Sequence, residues 1–268
     1  MDQYYEPIDG SYRSYPTDYA TDVNKTVFLI DTGVNLEHED FKDSKITLHE
    51  TDFVDGADTT DDHGHGTFIA SMLVGKEVGV IQLANLISIR IMGSSGRTRV
   101  SVVIEALDLV ELWLMEDRTR ECTINLSITA PKSQILNAKL KKLKKLGARI
   151  VVAAGNQRGD ACDYSPASSD SVMTIGSMTL DDHVSLFSNK GKCIDFFAVG
   201  NDIRAAEVSG GYKFGSGTSF ATVFATATVT RCLGGTKKRF NNCIHRYTVH
   251  HALNNLDVDT KNLFLKLI

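Results

Sequence analysis

Five short, dominantly apolar runs constrain this chain more than any other feature: Val27–Ile30, Leu86–Met92, Ile124–Ile128, Ile150–Ala154 and Val172–Met178. Strands with one wet face alternate apolar and polar residues along their whole length. Runs of this kind instead fit strands buried on both faces of a parallel sheet. Between them lie segments of helical character, Thr67–Val74, Val100–Met115 and Ile135–Leu146. In the last of these, Leu136, Leu140 and Leu143 share one face, and the run Lys139, Lys141, Lys142, Lys144, Lys145 reads as its solvated side. Strands alternating with helices of this length imply an α/β fold, a doubly wound and mostly parallel sheet flanked by helices in a single domain. In such sheets polar sites gather beyond the carboxyl ends of the strands. Asp31, Asn156 and the 96–98 segment all follow strand ends.

A second feature is the stretch Phe214–Gly234, F-G-S-G-T-S-F-A-T-V-F-A-T-A-T-V-T-R-C-L-G. Glycines and hydroxyl residues lead into Ser219, and a small, apolar run follows, so the stretch reads as a loop opening a buried helix. Ser219 is then either an ordinary helix cap or a reactive hydroxyl at a helix start, where unpaired N–H groups and the positive dipole end favour an oxyanion. After Gly235 the chain turns polar and then helical over Cys243–Leu253. Residues 1–24, rich in Tyr, Asp and Ser and without period, read as an extended arm.

A net charge of −4 over 268 residues gives no footprint for nucleic acid. No apolar run reaches the ~20 residues needed to cross a bilayer. The amino end, M-D-Q-Y-Y-E-P, lacks the basic and apolar regions of a secretory signal. Five cysteines at 122, 162, 193, 232 and 243 are compatible with two disulfides and one thiol, or with five reduced core residues. They show no C-x-x-C spacing, which disfavours structural zinc.

Four residues carry the candidate chemistry, and each has a plain alternative. Asp31 ends an apolar strand, where a buried carboxylate needs a donor such as a histidine N–H, or it opens a tight D-T-G turn. Pepsin-like aspartic proteases need two such triplets, and the chain has one. The stretch Asp61-Asp62-His63-Gly64-His65-Gly66-Thr67 offers metal ligands, yet its histidines are two apart in a glycine-rich loop rather than four apart on a helix. The other reading takes His65 alone as a general base held by Asp31. Asn156, after Val151–Gly155, is a turn residue or an amide that stabilises a developing oxyanion.

The order Asp31, His65, Asn156, Ser219 joins these pieces. With it come V-F-L-I-D-T-G-V, D-H-G-H-G-T, V-V-A-A-G-N, D-Y-S-P-A-S, L-F-S-N-K-G, C-I-D-F-F-A-V-G and G-S-G-T-S-F-A-T, between residue 27 and about 234. In these motifs the chain resembles subtilisin-type serine proteases, most closely their proteinase K branch. The resemblance implies a peptidase domain over 25–268. Ser219 would be its nucleophile, His65 the base, Asp31 the orienting acid and Asn156 the oxyanion donor. Extended peptide or protein substrates would lie between Gly96-Arg97-Thr98 and Ser127-Ile128-Thr129, with a side-chain pocket between 127–129 and Ala153-Ala154-Gly155. The chemistry would need no cofactor. A structural calcium ion would sit on the Asp195 carboxylate and the carbonyls of Asp170 and Val172. Cys162 and Cys193 would pair, which implies an oxidising compartment and a protein secreted after processing. An inhibitory pro-region would be a further partner. Of the two sequons, at Asn24 and Asn125, only the first is expected to be accessible to glycan, because the second lies on a core strand.

The chain departs from the family pattern at Val223 and Phe224 behind the nucleophile, at Thr129 in the pocket strand, and at Arg97, which adds charge beside the substrate path. These departures keep open a second function, a catalytically weak protein of the same fold that acts as a binding partner.

Overall fold

A computed structural model describes residues 25–50, 53–54, 60–250, 253–254, 256, 260–261 and 263–265. The expected arm over 1–24 and the Asn24 sequon lie outside them. In chain order the elements are β1 (Thr26–Asp31), β2 (Ile46–Leu48), α1 (His65–Val74), β3 (Asn85–Arg90), α2 (Val100–Glu116), β4 (Cys122–Leu126), β5 (Ala130–Pro131), α3 (Gln134–Lys145), β6 (Arg149–Ala153), β7 (Tyr164–Ser165), β8 (Met173–Met178), β9 (Phe196–Val199), β10 (Ile203–Ala206), β11 (Tyr212–Gly215), α4 (Thr218–Arg231), α5 (Lys237–Arg246), β12 (Thr248–His250) and β13 (Leu263–Leu265). Among the described residues, nine strands form one sheet in the order β12-β13-β9-β8-β6-β4-β1-β3-β2. Only β12 runs antiparallel to its neighbour; every other pairing in the sheet is parallel.

The apolar runs are explained by helices on both faces. In β1, Val27 and Leu29 pack into a core with α1 and α4, while Phe28 and Ile30 pack into a second core with α2 and α3. Successive side chains of a strand point to opposite faces, so a strand covered on both must be apolar throughout. On α3, Leu136, Leu140 and Leu143 are each 0% exposed, worth about 1.5–3 kcal/mol apiece relative to exposure. Helix α4 is buried on nearly every side, and its threonines tolerate this because each hydroxyl is bonded. Thr222, Thr228 and Thr230 donate to carbonyls four residues back, and Thr226 accepts from buried Asn125. Asn125 is therefore a core residue, as the sequence implies.

Two expectations need correction. The lysine run is not all solvated: Lys139 is buried and binds Asp108 and Glu111, and Lys142 also binds Glu111. Burial would raise the Glu111 carboxyl, but these two lysines hold it below its ordinary pKa. The tail helix spans Lys237–Arg246 rather than Cys243–Leu253. Thr236 caps its start by accepting from the Arg239 N–H at 3.3 Å, and Thr248–His250 leaves the helix to pair with β13.

Cys162 and Cys193 form a disulfide with Cα atoms 5.3 Å apart, and Cys232 pairs with Cys243, tying the end of α4 to α5. Cys122 is a buried free thiol, pushed up to about 12 by burial and by the Glu121 charge. Among the described residues no helix is long and apolar enough to cross a membrane.

Candidate active site

Asp31 is the last residue of β1 and is fully buried. Its Oδ1 accepts the Thr32 N–H at 2.8 Å and His65 Nδ1 at 2.7 Å. That partner assigns the ring proton to Nδ1 and leaves Nε2 as an acceptor. Burial would depress the His65 pKa, but the Asp31 charge and hydrogen bond, with the Asp61 charge behind them, outweigh it and hold the pKa above 6.5.

His65 is the first residue of α1, and the start of that helix is built around it. Asp61 Oδ1 accepts the N–H groups of His63 (3.0 Å) and Gly64 (2.8 Å). Its Oδ2 accepts the Thr67 N–H (2.9 Å) and hydroxyl (2.7 Å). One carboxylate thus satisfies three donors around the helix start and one hydroxyl. Gly66 donates to Thr32 Oγ1 at 2.8 Å, and a Cβ there would lie 2.1 Å from the Gly33 carbonyl oxygen, so only glycine brings His65 this close to β1. Arg90, beside Asp31 in the β1–β3 register and 4% exposed, reaches the Thr60 carbonyl and the Asp62 carboxylate at 2.9 Å, and so pins the approach loop.

On the other side, Ser219 is the second residue of α4. Its hydroxyl lies 3.5 Å from the Ser127 carbonyl, and the Ser127 hydroxyl bonds the Ser219 carbonyl at 3.2 Å. Asn156 follows β6. Its Oδ1 accepts the Thr218 N–H (3.0 Å) and hydroxyl (2.9 Å), which leaves its NH₂ as the free end. The same Thr218 oxygen accepts the Gly155 N–H at 3.2 Å. Behind the loop, buried Asn189 bonds the Ala154 carbonyl and the N–H groups of Gln157 and Gly159.

A cavity of about 350 Å³ opens beside His65. It is lined by all six residues of the two expected edges, Gly96, Arg97, Thr98, Ser127, Ile128 and Thr129. Ala153 and Ala154 do not line it and are buried. Gly155 touches the same ground from behind, since a Cβ on it would meet Thr129 Cγ2 at 3.3 Å. A second cavity of about 380 Å³ lies at the opposite end of the strands, and Val172 is the one expected site residue it contains.

The subtilase family model matches residues 23–264. The chain belongs to the subtilase family. This subtilase is 37% identical over 223 residues to the alkaline serine exoprotease A of Vibrio alginolyticus, covering 83% of the chain and 40% of that protein. It is 37% identical over 209 residues to subtilisin-like protease 1 of Trichophyton verrucosum, covering 78% of the chain and 52% of the relative. The chain therefore spans about half or less of the length of these two relatives. A solved structure, titled as a cold adapted subtilisin-like serine proteinase, matches with a TM-score of 0.84 at 32% identity, covering 100% of this chain and 96% of the other.

At the calcium position implied for this subtilase, lysines sit on two of the three expected donors. Asp195 Oδ2 accepts the Thr174 N–H at 3.0 Å and Oδ1 takes Lys261 Nζ at 2.9 Å, while Lys144 Nζ bonds the Asp170 carbonyl at 3.2 Å. Calcium takes 6–8 oxygen ligands, and here ammonium groups sit on the Asp195 carboxylate and the Asp170 carbonyl. Among the described residues no group of three or more His, Cys, Asp or Glu could hold a metal.

The supporting roles of Asp61, Arg90, Thr218 and Asn189 in this subtilase went unread in the sequence. Asp61 had a legible signal, an acidic residue just ahead of a helix start. The others act through partners 28 to 62 residues away in the chain, as the bonds of Arg90 to Asp62, Asn189 to Ala154 and Thr218 to Asn156 show.

Proposed function

We propose that this subtilase is a serine endopeptidase acting on extended peptide or protein substrates, with Ser219, His65, Asp31 and Asn156 as its catalytic groups. The observation that carries the reading is the double preparation around the start of α4. Asp31 presents His65 with Nε2 unprotonated, and Thr218 presents Asn156 with its NH₂ free. Attack begins as the Ser219 hydroxyl turns from the Ser127 carbonyl to His65 Nε2 and gives up its proton as its oxygen bonds the scissile carbonyl carbon. The oxyanion so formed is met by Asn156 Nδ2 and the Ser219 N–H at the positive end of α4. His65 then hands the proton to the leaving amine, which departs and leaves an acyl group on Ser219. Water, deprotonated by His65, releases that group. The steps so written draw on no metal or cofactor, and the Asp195 position lies outside them.

The two disulfides and the exoprotease name of the Vibrio relative support secretion into an oxidising compartment. Titration of the denatured chain should find one free thiol. An inhibitory pro-region would be a natural partner for the cleft. The second reading, a catalytically weak binding protein, draws on Thr129, whose methyl group sits against Gly155 where the pocket should open. A fluorophosphonate probe decides between them. Labelling of the folded chain that is lost in Ser219→Ala supports the peptidase; a folded chain that stays unlabelled supports the binding protein.

A further inference from the structure

The 350 Å³ cavity beside His65 has an uneven lining. Its floor is apolar, formed by Met92, Val100, Val103, Ile128 and Leu136, and among the described residues no carboxylate borders it. The charge at its mouth is a single guanidinium, that of Arg97, which is exposed and makes no hydrogen bond or ion pair with any described residue. Next to it stands His63. Its ring packs edge-on against His65 with centroids 6.3 Å apart and lies so close to Gly96 that a Cβ there would come within 2.6 Å of Nε2. Among the described acids, Asp61 is engaged at the start of α1 and Asp62 with Arg90. A substrate side chain entering between Gly96 and Thr129 therefore meets grease below and an unanswered positive charge at the rim.

We propose that Arg97 makes this subtilase select acidic substrates: peptides whose portion held between the 96–98 and 127–129 edges pairs an apolar side chain, seated on the cavity floor, with an Asp or Glu side chain meeting Arg97. The inference rests on the peptidase reading and specifies its substrate class. An extended peptide puts successive side chains on opposite sides, ~3.3 Å apart along the chain, so a carboxylate near the seated residue reaches the rim without disturbing it. Arg suits this role because its planar fork binds a carboxylate through two parallel N–H···O bonds. Arg97 takes no part in the bond changes at the scissile carbonyl, so the contact is equally strong in ground and transition states and acts on KM rather than kcat.

The test is a set of fluorogenic peptides sharing one cleavable core, with Asp, Asn or Lys placed in turn at each position of the gripped portion. The wild-type chain should show, at one position, kcat/KM about tenfold higher for Asp than for Asn at low ionic strength, with Lys the worst, and the preference should shrink as salt is added. Arg97→Ala should level Asp and Asn at that position, and Arg97→Glu should favour Lys. Each readout is a ratio within one variant, so a change in overall activity does not blur it. Hydrolysis of the Asn peptides with Asp and Lys equal at every position would overturn the inference and leave the peptidase intact. A preference for Asp that survives Arg97→Glu would overturn it as well. A folded chain that cleaves nothing and takes no fluorophosphonate would fell the peptidase reading, and this inference with it.

Discussion

The two ends of the central sheet treat their polar groups in opposite ways. At the carboxyl ends of β1 and β6, every catalytic candidate is gripped from behind and left open in front. Asp31 holds His65 by Nδ1, Thr218 holds Asn156 by its oxygen, and Asp61 spends both its oxygens on the start of α1. At the amino ends of β8 and β9, Asp195 and the Asp170 carbonyl have their own lysines and a backbone N–H. One end keeps valence in reserve for a substrate, while the other is closed by the chain itself. A polar cluster is a site only where its neighbours bind the back of the group and leave the front unpaired.

The strongest test of that contrast is Asp31→Asn. It keeps the shape but removes the carboxylate that fixes the Nδ1 proton, so kcat should fall by about 10⁴ with peptide binding little changed. The pH dependence adds a sign. Neutral His65 is the working form, so kcat/KM should fall as pH drops through a pKa lying above 6.5, and in Asp31→Asn that limb should move to lower pH. Stability runs the other way. Because the folded pKa is raised, His65 contributes stability that is full below pH 6.5 and is lost as pH rises through the folded value. Parallel profiles of activity and melting temperature would expose both slopes; a limb unmoved in the mutant would mean that Asp31 does not set the base.

Next in size is Asn156→Ala, expected to cost about 10²–10³ in kcat by removing an oxyanion donor. Thr218→Val, which leaves the Asn156 oxygen held by the backbone N–H alone, should cost about tenfold, the worth of one lost hydrogen bond, and should add little on top of Asn156→Ala. Full additivity in that double mutant would separate the two residues. Asp61→Ala should lower unfolding free energy by about 2–3 kcal/mol, because buried donors lose their acceptor, and denaturant titration would read it.

The two ends were not equally readable. Asp31, His65, Asn156 and Ser219 each had a plain local alternative, and it was their order together with the seven motifs around them that singled them out. Sequence also carried the parallel strands β1, β3, β4, β6 and β8, whose two-faced burial forces apolar side chains. Phe196–Val199, F-F-A-V, is an apolar run as long as Val27–Ile30 that the sequence reading passed over, whereas Thr248–His250 has no such signature and is a strand because of its neighbours. The lysines at the Asp195 position stayed unread for a related reason. Its oxygens look like a cation site locally, and the cations that satisfy them arrive from Lys144, 26 residues before Asp170, and Lys261, 66 residues after Asp195. Long side chains reaching across the fold leave no pattern in sequence.

The smallest expected effect sharpens the contrast from its closed end. Because the Asp195 donors are occupied, adding calcium or a chelator should leave the melting temperature unchanged. Lys261→Met, which breaks an ion pair whose partners are 50% and 32% exposed, should cost under about 1 kcal/mol. A chelator-induced drop that disappears in Asp195→Asn would show that an ion displaces the lysine.

Cys122 turns the central sheet into its own timekeeper. Its sulfur sits at the start of β4, paired in register with Thr26 of β1, fully buried and too basic to form a thiolate while the strands are closed. An alkylating reagent can take it only when the core between β4 and the α2–α3 layer opens, so the rate of labelling counts openings of that core rather than surface fluctuations. The same strand runs on through Asn125 to Ser127, the residue bonded to Ser219, so an opening that travels along β4 also loosens the seat of the proposed nucleophile.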